Sequence, residues 1–276
     1  MLPGDDRTNP THITTPNYLA TTAILTFLVT LLELKEIYPT LVKVDIYELD
    51  RVMKKALDKN RLKSIYDKTA GYYDFMHGYG TYHQDQRGRK FIVEHTVRPG
   101  DYILDAGGGT GSAGFMGLEK SGDNGRLVIL DLSEKMLQQA ALKSQQNNGT
   151  DRVEIVLGDM YEIPFPDDTF DVVLSAYSTC PLADPGLAVI EMLRVTKVDG
   201  RVGIAHSTLP KGKMAGKISQ AFDALIGYFP GLSLGCRNID LTATLKKMEG
   251  SIVEDRILGF IPWYFRCLVI QKQSKK

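Results

Sequence analysis

The middle of the chain alternates between short apolar runs and longer stretches in which apolar residues recur every three or four positions. A short apolar run that ends at polar residues or glycine is typical of a buried strand, and the longer spacing is typical of an amphipathic helix. The predicted strands are 101–104, 126–130, 153–157, 170–175 and 201–206, and the predicted helices between them are 112–120, 134–146 and 187–195. Strands that alternate with helices form a parallel sheet with right-handed crossovers. We therefore predict an α/β fold, a Rossmann-like sheet with helices on both faces.

The alternation stops after residue 206. Residues 207–250 contain two helical stretches, near 217–228 and 241–248, and we expect this segment to form a helical cap insertion over the ends of the strands. Two strand-like runs, 252–258 and 263–271, end the chain. The predicted main domain is therefore 61–276, with the cap insertion at about 207–250.

Residues 1–60 are predicted to form an N-terminal helical extension, with helices near 19–37 and 49–62. No Asp, Glu, Lys or Arg lies between Thr8 and Leu32. The apolar part of this stretch is about 15 residues, short of the roughly 20 that a membrane-spanning helix needs. A helix that packs on the domain or on a second copy in a homodimer is one interpretation, and a shallow peripheral membrane anchor is the other. The predicted location is cytoplasmic, with membrane association as an open alternative.

The first predicted strand leads into a glycine-rich loop with an acid before it, Asp105-Ala106-Gly107-Gly108-Gly109-Thr110-Gly111. Glycine allows tight turns and lets a ligand approach the main chain. The same region contains G-x-G-x-x-G at 109–114, with Asp131 about 20 residues beyond, which is the dinucleotide fingerprint. A carboxylate at this position would oppose a pyrophosphate but would attract a cationic amino-acid ligand. S-adenosylmethionine (SAM) is therefore favoured over NAD, and an NAD(P)-dependent oxidoreductase and a non-catalytic SAM-binding protein remain the alternatives.

The loop resembles the first motif of the class I SAM-dependent methyltransferases, D-x-G-x-G-x-G, which Asp105, Gly107, Gly109 and Gly111 fill without a gap. Within that class the chain most resembles the ubiquinone and menaquinone C-methyltransferases and related small-molecule or lipid enzymes, over roughly residues 65–202. The resemblance implies a seven-stranded sheet whose seventh strand lies antiparallel between the fifth and sixth. It also implies SAM as the cofactor and a small, apolar or quinone-like acceptor.

Further cofactor residues are expected where strands two, three and four end, because open parallel sheets bind ligands there. Asp131 can accept the ribose hydroxyls, although it can also cap the next helix, and Leu132 or Met136 can touch the adenine. The resemblance implies that Asp159 and Met160 contact the adenine, and that Ser175 and Tyr177 lie near the methionine part and the acceptor. These predictions stand beside the simpler interpretation of turn and core residues.

The tyrosine-rich segment before the glycine loop resembles the opening of the quinone methyltransferases. This resemblance implies that Tyr66 reaches the SAM carboxylate and that Tyr73 closes over the sulfonium, where an aromatic face favours a cation. A hydrophobic latch between helices is the alternative interpretation.

A catalytic base is required only where the acceptor loses a proton, since alignment supplies most of the catalysis of methyl transfer. His206, at the end of the fifth predicted strand, is the first candidate because its pKa lies near neutral pH. Tyr177 is a second candidate, Tyr79 and His83 are weaker ones, and a buried core histidine is the alternative for His206.

Composition excludes other classes of site. Lys plus Arg and Asp plus Glu both total 33, so zero net charge gives no general attraction for nucleic acid. Cys180, Cys236 and Cys267 form no C-x-x-C pair, which indicates neither a disulfide framework nor a zinc site. No metal is predicted, because His77, His83 and Asp85 are better interpreted as loop residues.

A set of apolar residues in the cap predicts an apolar acceptor pocket near 263–265: Phe222, Leu225, Ile226, Tyr228 and Phe229.

Overall fold

The computed structural model describes residues 56–80, 83–146, 150–210, 212–227, 233–245, 250–260 and 262–274. The helix predicted near 19–37 lies outside these residues, as does the first half of the helix predicted near 49–62. The helices, numbered from the first described one, are α1 (Lys59–Thr69), α2 (Tyr73–Gly80), α3 (Gln84–Thr96), α4 (Ser112–Ser121), α5 (Glu134–Gln146), α6 (Pro185–Val195), α7 (Lys213–Gly227) and α8 (Thr242–Leu245). The strands are β1 (Tyr102–Ala106), β2 (Arg126–Asp131), β3 (Val153–Leu157), β4 (Phe170–Ala176), β5 (Thr196–Ser207), β6 (Gly250–Phe260) and β7 (Trp263–Lys272).

These strands form a seven-stranded sheet in the order β3-β2-β1-β4-β5-β7-β6. The strands from β3 to β5 pair in parallel, and β7 runs antiparallel to both β5 and β6. This arrangement confirms the predicted Rossmann-like fold and the predicted place of the last strand. The strand order reverses between β1 and β4, so a ligand is expected beyond their carboxyl ends.

The first strand is longer than predicted at its carboxyl end. Asp105 pairs with Ile129 and Leu174 inside the ladder and is therefore a residue of β1, not of the loop. Asp101 was predicted to start the strand, but its carboxylate pairs with Arg201 (Nη2–Oδ2, 3.1 Å) outside the ladder. The carboxyl end was predicted too early because an acid in a strand looks like a turn residue in the sequence, and the amino end was predicted one residue too early.

The fifth strand begins five residues earlier than predicted. Thr196 pairs with Phe170, and the register then shifts before Val172 pairs with Arg201. Asp199 lies at the shift with a positive φ of 63°. A polar irregularity of this kind looks like a turn in the sequence, while the ladder continues on both sides of it.

The core lies on both faces of the central strands, as expected for a parallel sheet covered by helices. Leu104, Ile129, Leu174 and Ile204 are fully buried. Burying each such side chain contributes roughly 1.5–3 kcal/mol. Among the residues described, no helix is long and apolar enough to cross a membrane.

Candidate functional site

The glycine loop leaves β1 at Ala106 and enters α4 at Ser112, and its backbone requires glycine. Gly107 and Gly109 have φ values of 66° and 57°, in the left-handed region that other residues rarely adopt. A Cβ on Gly107 would lie 2.5 Å from the Cβ of Ser178, whereas a Cβ on Gly109 would meet nothing closer than 4.0 Å. A side chain at Gly109 would therefore enter the open space above the loop.

A cleft of about 830 Å³, solvent included, opens at this loop. Its walls come from the carboxyl ends of β1, β2 and β4, the turn after β3, and helices α1 to α3. The structure brings together eleven of the residues predicted from the sequence: Tyr66, Tyr73, Asp105, Gly107, Gly109, Asp131, Leu132, Met136, Asp159, Met160 and Tyr177. Three predicted residues do not line the cleft: Gly111, Ser175 and His206.

Asp105 is buried on the cleft wall with one oxygen in use. Its Oδ2 accepts a hydrogen bond from the Gly114 N–H (2.7 Å), while its Oδ1 has no partner among the described residues. Burial raises the pKa of Asp105 to about 6, although the Gly114 hydrogen bond and the Arg89 charge oppose the shift. An unpaired buried acceptor with a costly negative charge fits a ligand that brings a cationic donor.

Asp131 ties the glycine loop to the turn after β2. Its Oδ2 accepts from the Gly109 N–H (2.9 Å), and its Oδ1 accepts from the Ser133 N–H (2.8 Å). Burial raises the pKa of Asp131 to about 6 against these hydrogen bonds. The cap of α5 is formed instead by Ser133, whose Oγ accepts from the Met136 N–H (3.2 Å). Asp131 therefore lies on the cleft wall without being the helix cap, and its contact with a ribose stays a prediction.

Asp159 and Met160 follow β3 and line the cleft together. The Asp159 carboxylate forms an ion pair with Lys59 (2.5 Å) and accepts from the Tyr161 N–H (2.9 Å). Met160 is buried beside it. The turn role that served as the alternative for Asp159 is thus present, and both residues remain available to a ligand in the cleft.

Hydrogen bonds and an ion pair hold α1 and α2 against the glycine loop and against α5 with the turn before it. Asp74 on α2 accepts from the Thr110 hydroxyl (2.7 Å) and pairs with Lys143 of α5 (2.6 Å). Asp67 on α1 accepts from the Ser133 hydroxyl (2.6 Å). These contacts hold the tyrosine-rich segment along one side of the cleft.

Two predicted residues, Tyr66 and Tyr73, belong to that segment. The Tyr66 and Tyr73 rings have centroids 6.1 Å apart and are tilted by 49°. Burial raises the pKa of both phenols, which therefore stay neutral. The rings pack together, as the latch interpretation expects, and both residues line the cleft, while their contact with SAM stays a prediction.

Gly111 and Ser175 lie behind the cleft wall. A Cβ on Gly111 would lie 2.7 Å from the side chains of Ile129 and Phe115, so this glycine permits close packing of α4 on the sheet. The Ser175 hydroxyl is fully buried and is paired with the Ser178 hydroxyl (2.8 Å). Ser178, which sequence reasoning missed, takes its place on the wall.

The structure separates the two candidate bases. His206 is fully buried on β5 outside the cleft wall; its Nδ1 contacts the Ser207 carbonyl (2.9 Å). Burial lowers the pKa of His206 to about 4, which makes it a weak base. This placement corrects its predicted role and favours the core-histidine alternative.

Tyr177 lines the cleft, but its hydroxyl points away into the fold. The hydroxyl donates to the Asp85 carbonyl (3.0 Å), and burial raises the pKa of the phenol well above its usual value. The residue has a positive φ of 62°, which turns the chain sharply after β4. Tyr177 is therefore better placed to shape the cleft than to take a proton. Of the weaker candidates, His83 is exposed before α3, and the Tyr79 side chain lies outside the description.

Sequence reasoning missed Arg89, a buried arginine on the cleft wall. Its guanidinium pairs with the buried carboxylate of Asp85 and lies 5.2 Å above the Tyr177 ring. Burial lowers the pKa of Arg89, but the Asp85 charge, the Tyr73 and Tyr177 phenols and the hydrogen bond with Asp85 together outweigh this and raise it overall. The signal was present in the sequence, because Arg89 shares the spacing of Ile92, Val93 and Thr96 on the buried face of α3.

No group of three or more His, Cys, Asp or Glu residues could hold a metal within the described part of the chain.

Comparison with known proteins decides the class of this site. The model of the ubiE/COQ5 methyltransferase family matches residues 53–230. The chain belongs to this family. Its class as a SAM-dependent methyltransferase, with SAM as the cofactor, is thereby confirmed, and the NAD(P)-dependent alternative is set aside.

Individual relatives agree with the family. The ubiquinone/menaquinone biosynthesis C-methyltransferase UbiE of Teredinibacter turnerae is 30% identical over 170 residues, which cover 61% of this chain and 67% of the relative. A demethylmenaquinone methyltransferase of Symbiobacterium thermophilum is 30% identical over 150 residues, covering 54% of this chain and 60% of the relative. The chain thus spans about two thirds or less of the length of these relatives.

Solved structures share the fold. The 1,6-didemethyltoxoflavin-N1-methyltransferase of Burkholderia thailandensis, solved with S-adenosylhomocysteine, superposes with a TM-score of 0.58 at 16% identity. The superposition covers 79% of this chain and 94% of that one. At this identity the likeness speaks for the fold alone.

Proposed function

We propose that this protein transfers the methyl group of SAM to a ring carbon of an apolar, quinone-like acceptor. The single observation that carries the proposal is the cleft at the strand-order reversal, where an unpaired Asp105 oxygen lies beside the glycine loop. The acceptor class is supported by the family and by the names of the relatives, which act on ubiquinone and menaquinone precursors.

The residues of the cleft fit SAM at several points. Asp105 offers an acceptor to the ammonium group, and the buried Arg89 offers positive charge to the carboxylate. Asp131 can bind the ribose, and Asp159 with Met160 can bind the adenine. When bound, SAM supplies a methyl group already activated by its sulfonium.

In this proposal the reaction depends on alignment of the acceptor carbon with the methyl group and the sulfur of SAM, and no residue acts as a dedicated base. Tyr177 is held neutral with its hydroxyl directed into the fold, and His206 lies outside the cleft. An electron-rich hydroquinone ring attacks through carbon, and the displaced ring proton can leave to water afterwards. The chain needs only to hold the two reactants in line and to exclude competing water.

The predicted apolar pocket in the cap is only partly described. Phe222 of α7 packs edge-to-face on Trp263 of β7, with centroids 5.0 Å apart, and neither residue lines the cleft. This contact matches the alternative in which the insertion packs on the sheet. The side chains of Leu225 and Ile226, and the whole of Tyr228 and Phe229, lie outside the described residues. Apolar contact for the acceptor is therefore proposed from cleft residues instead, namely Leu62, Pro181 and Leu182.

A panel of acceptors tests the proposal. The full-length protein is incubated with SAM and a reduced, prenylated naphthoquinone, and the product is analysed by mass spectrometry for one added methylene. A soluble catechol and a small amine serve as polar controls. We expect the quinol to be methylated at least about tenfold faster, which corresponds to about 1.4 kcal/mol of transition-state binding. Turnover of the polar acceptors alone would contradict an apolar acceptor.

The cytoplasmic location stays a prediction, as does contact of the N-terminal helix with a membrane or a second copy. Residues 1–55, on which that contact depends, lie outside the described part of the chain. Co-sedimentation of the full chain with anionic vesicles, compared with its oligomeric state in their absence, separates the two forms of contact.

A further inference from the structure

Two cysteine thiols meet beside the cleft. The Sγ atoms of Cys180 and Cys236 are 2.9 Å apart, although 56 positions separate them in the chain. Both thiols also approach the Tyr177 carbonyl, at 3.2 and 3.6 Å. Both cysteines are free in the structure. The spacing in the sequence gave no indication of this pair.

The pair joins the cleft wall to the cap insertion. Cys180 belongs to the loop after β4, in which Tyr177, Ser178, Pro181 and Leu182 all line the cleft. Cys236 belongs to the insertion and follows a tight turn at Gly235. The turn is packed on the same wall, because a Cβ on Gly235 would lie 3.1 Å from Leu62 and 3.6 Å from Pro181.

The two thiols differ in exposure and in charge. Cys180 is fully buried and Cys236 is half-buried, so a small reagent reaches the pair through Cys236. Burial alone would raise the pKa of Cys180, but hydrogen bonds with Cys236 and Ser207 outweigh it and lower the pKa. The Sγ–Sγ distance of 2.9 Å places the two sulfurs close enough to be joined by an oxidant that enters from the Cys236 side, and the lowered pKa of Cys180 favours its reaction.

We propose that Cys180 and Cys236 are a redox-modification site whose oxidation to a disulfide fixes the cap insertion to the cleft wall and slows cofactor exchange. The oxidant is hydrogen peroxide. The S–S bond forms as the O–O bond of the peroxide breaks, the two electrons pass from sulfur to oxygen, and both thiol protons leave in two water molecules. Since product release limits many enzymes of this kind, a slower exchange would lower turnover. The inference does not depend on which acceptor is methylated.

Peptide mapping tests the modification itself. The reduced full-length protein is treated with one to two equivalents of hydrogen peroxide, the remaining thiols are alkylated, and the digest is analysed by mass spectrometry. We expect a linked peptide containing Cys180 and Cys236, with Cys267 still alkylated. Burial raises the pKa of Cys267 to about 12, so Cys267→Ser is the matched control that should still form the link. Cys236→Ser should not form it.

The dissociation rate of S-adenosylhomocysteine tests the consequence. We expect the rate to fall at least fivefold on oxidation of the native protein and of Cys267→Ser, and to recover with dithiothreitol. The same treatment should leave the rate of Cys236→Ser unchanged. If Cys180 and Cys236 both remain alkylatable, the modification site is refuted. If the link forms and the rate does not change, the effect on exchange is refuted. The native protein gives both readouts even where a variant folds poorly.

Discussion

The two halves of the sheet differ in whether their polar side chains face the cleft or pair within the protein. In the half formed by β1, β2 and β3, the strand ends present Asp105, Asp131 and Asp159 to the cleft, and the first two are held at raised pKa by burial. In the half formed by β5, β6 and β7, the Arg266 side chain is instead paired with several polar groups. Arg266 of β7 contacts Asp240, Thr242 and Asp255 within 3.1 Å. A buried carboxylate whose charge is disfavoured in the free protein indicates a binding position for a ligand. A network whose hydrogen bonds are all made within the protein indicates a structural role.

His206, in the second half, shows that a polar residue at a strand end need not be a functional residue. It lies near the end of a strand of the same sheet, as Asp105 and Asp131 do, but it pairs with Arg266 of β7, on the side of β5 away from the strand-order reversal. Its Nε2 has no partner in the described residues, and the ring tolerates this because burial lowers its pKa to about 4 and keeps it neutral. Position at a strand end therefore indicates a functional residue only next to the strand-order reversal.

The largest effect is expected from Gly109→Val, which blocks the first half directly. The new side chain would enter the cleft and strain a backbone with φ of 57°. We expect SAM affinity to fall at least about a thousandfold, or about 4 kcal/mol, in isothermal titration calorimetry. Gly122→Val is the matched control, since Gly122 has φ of 70° with open space around its Cβ and lies away from the cleft. Equal loss of SAM affinity in both variants would show that strain, not blockage, is responsible.

Arg89→Met tests whether a buried charge pair supports the cofactor half. Asp85 would keep its buried charge without the Arg89 guanidinium, which typically costs about 3–5 kcal/mol. We expect the free energy of unfolding in urea to fall by that amount, and SAM affinity to fall at temperatures where the variant stays folded. Arg87→Met, on the exposed side of α3, should change stability by less than about 0.5 kcal/mol. A stable Arg89→Met variant that binds SAM normally would remove Arg89 from the site.

His206→Ala tests the second half. Loss of a buried side chain should lower the free energy of unfolding by about 2 kcal/mol. SAM affinity and the turnover of folded protein should change less than about twofold, because the residue does not reach the cleft. His95→Ala, at an exposed position on α3, is the control for loss of a histidine. A turnover loss of about a hundredfold or more in a stably folded His206→Ala protein would instead reinstate it as the base.

The last expected effect is a pH dependence of SAM binding, which needs no substitution. Asp105 and Asp131 have pKa values raised to about 6, so both are ionised above that value and take up protons below it. A protonated carboxyl no longer attracts a cationic ligand, so SAM affinity should be level above pH 7. It should fall about tenfold between pH 7 and pH 5 for each carboxylate that must be charged. Calorimetry of the native protein and of Asp105→Asn, which should depend less steeply on pH, measures this. A flat profile in the native protein would contradict the raised pKa values.

The sequence by itself determined the order of strands and helices, the glycine loop with its acid and the family. These features are local, because strand and helix periods and the φ requirement of glycine depend on neighbours in the chain. Most of the residues that line the cleft, including Asp131 and Met160, could then be predicted from their positions at or just after the ends of the predicted strands. The tertiary structure alone decided that Ser175 and Gly111 lie behind the wall and that His206 is buried beside β7, away from the cleft. It also decided that Arg89 faces the cleft and that Cys180 meets Cys236. These outcomes depend on how separate segments pack around a side chain, since burial and pairing set its charge and its access to a ligand.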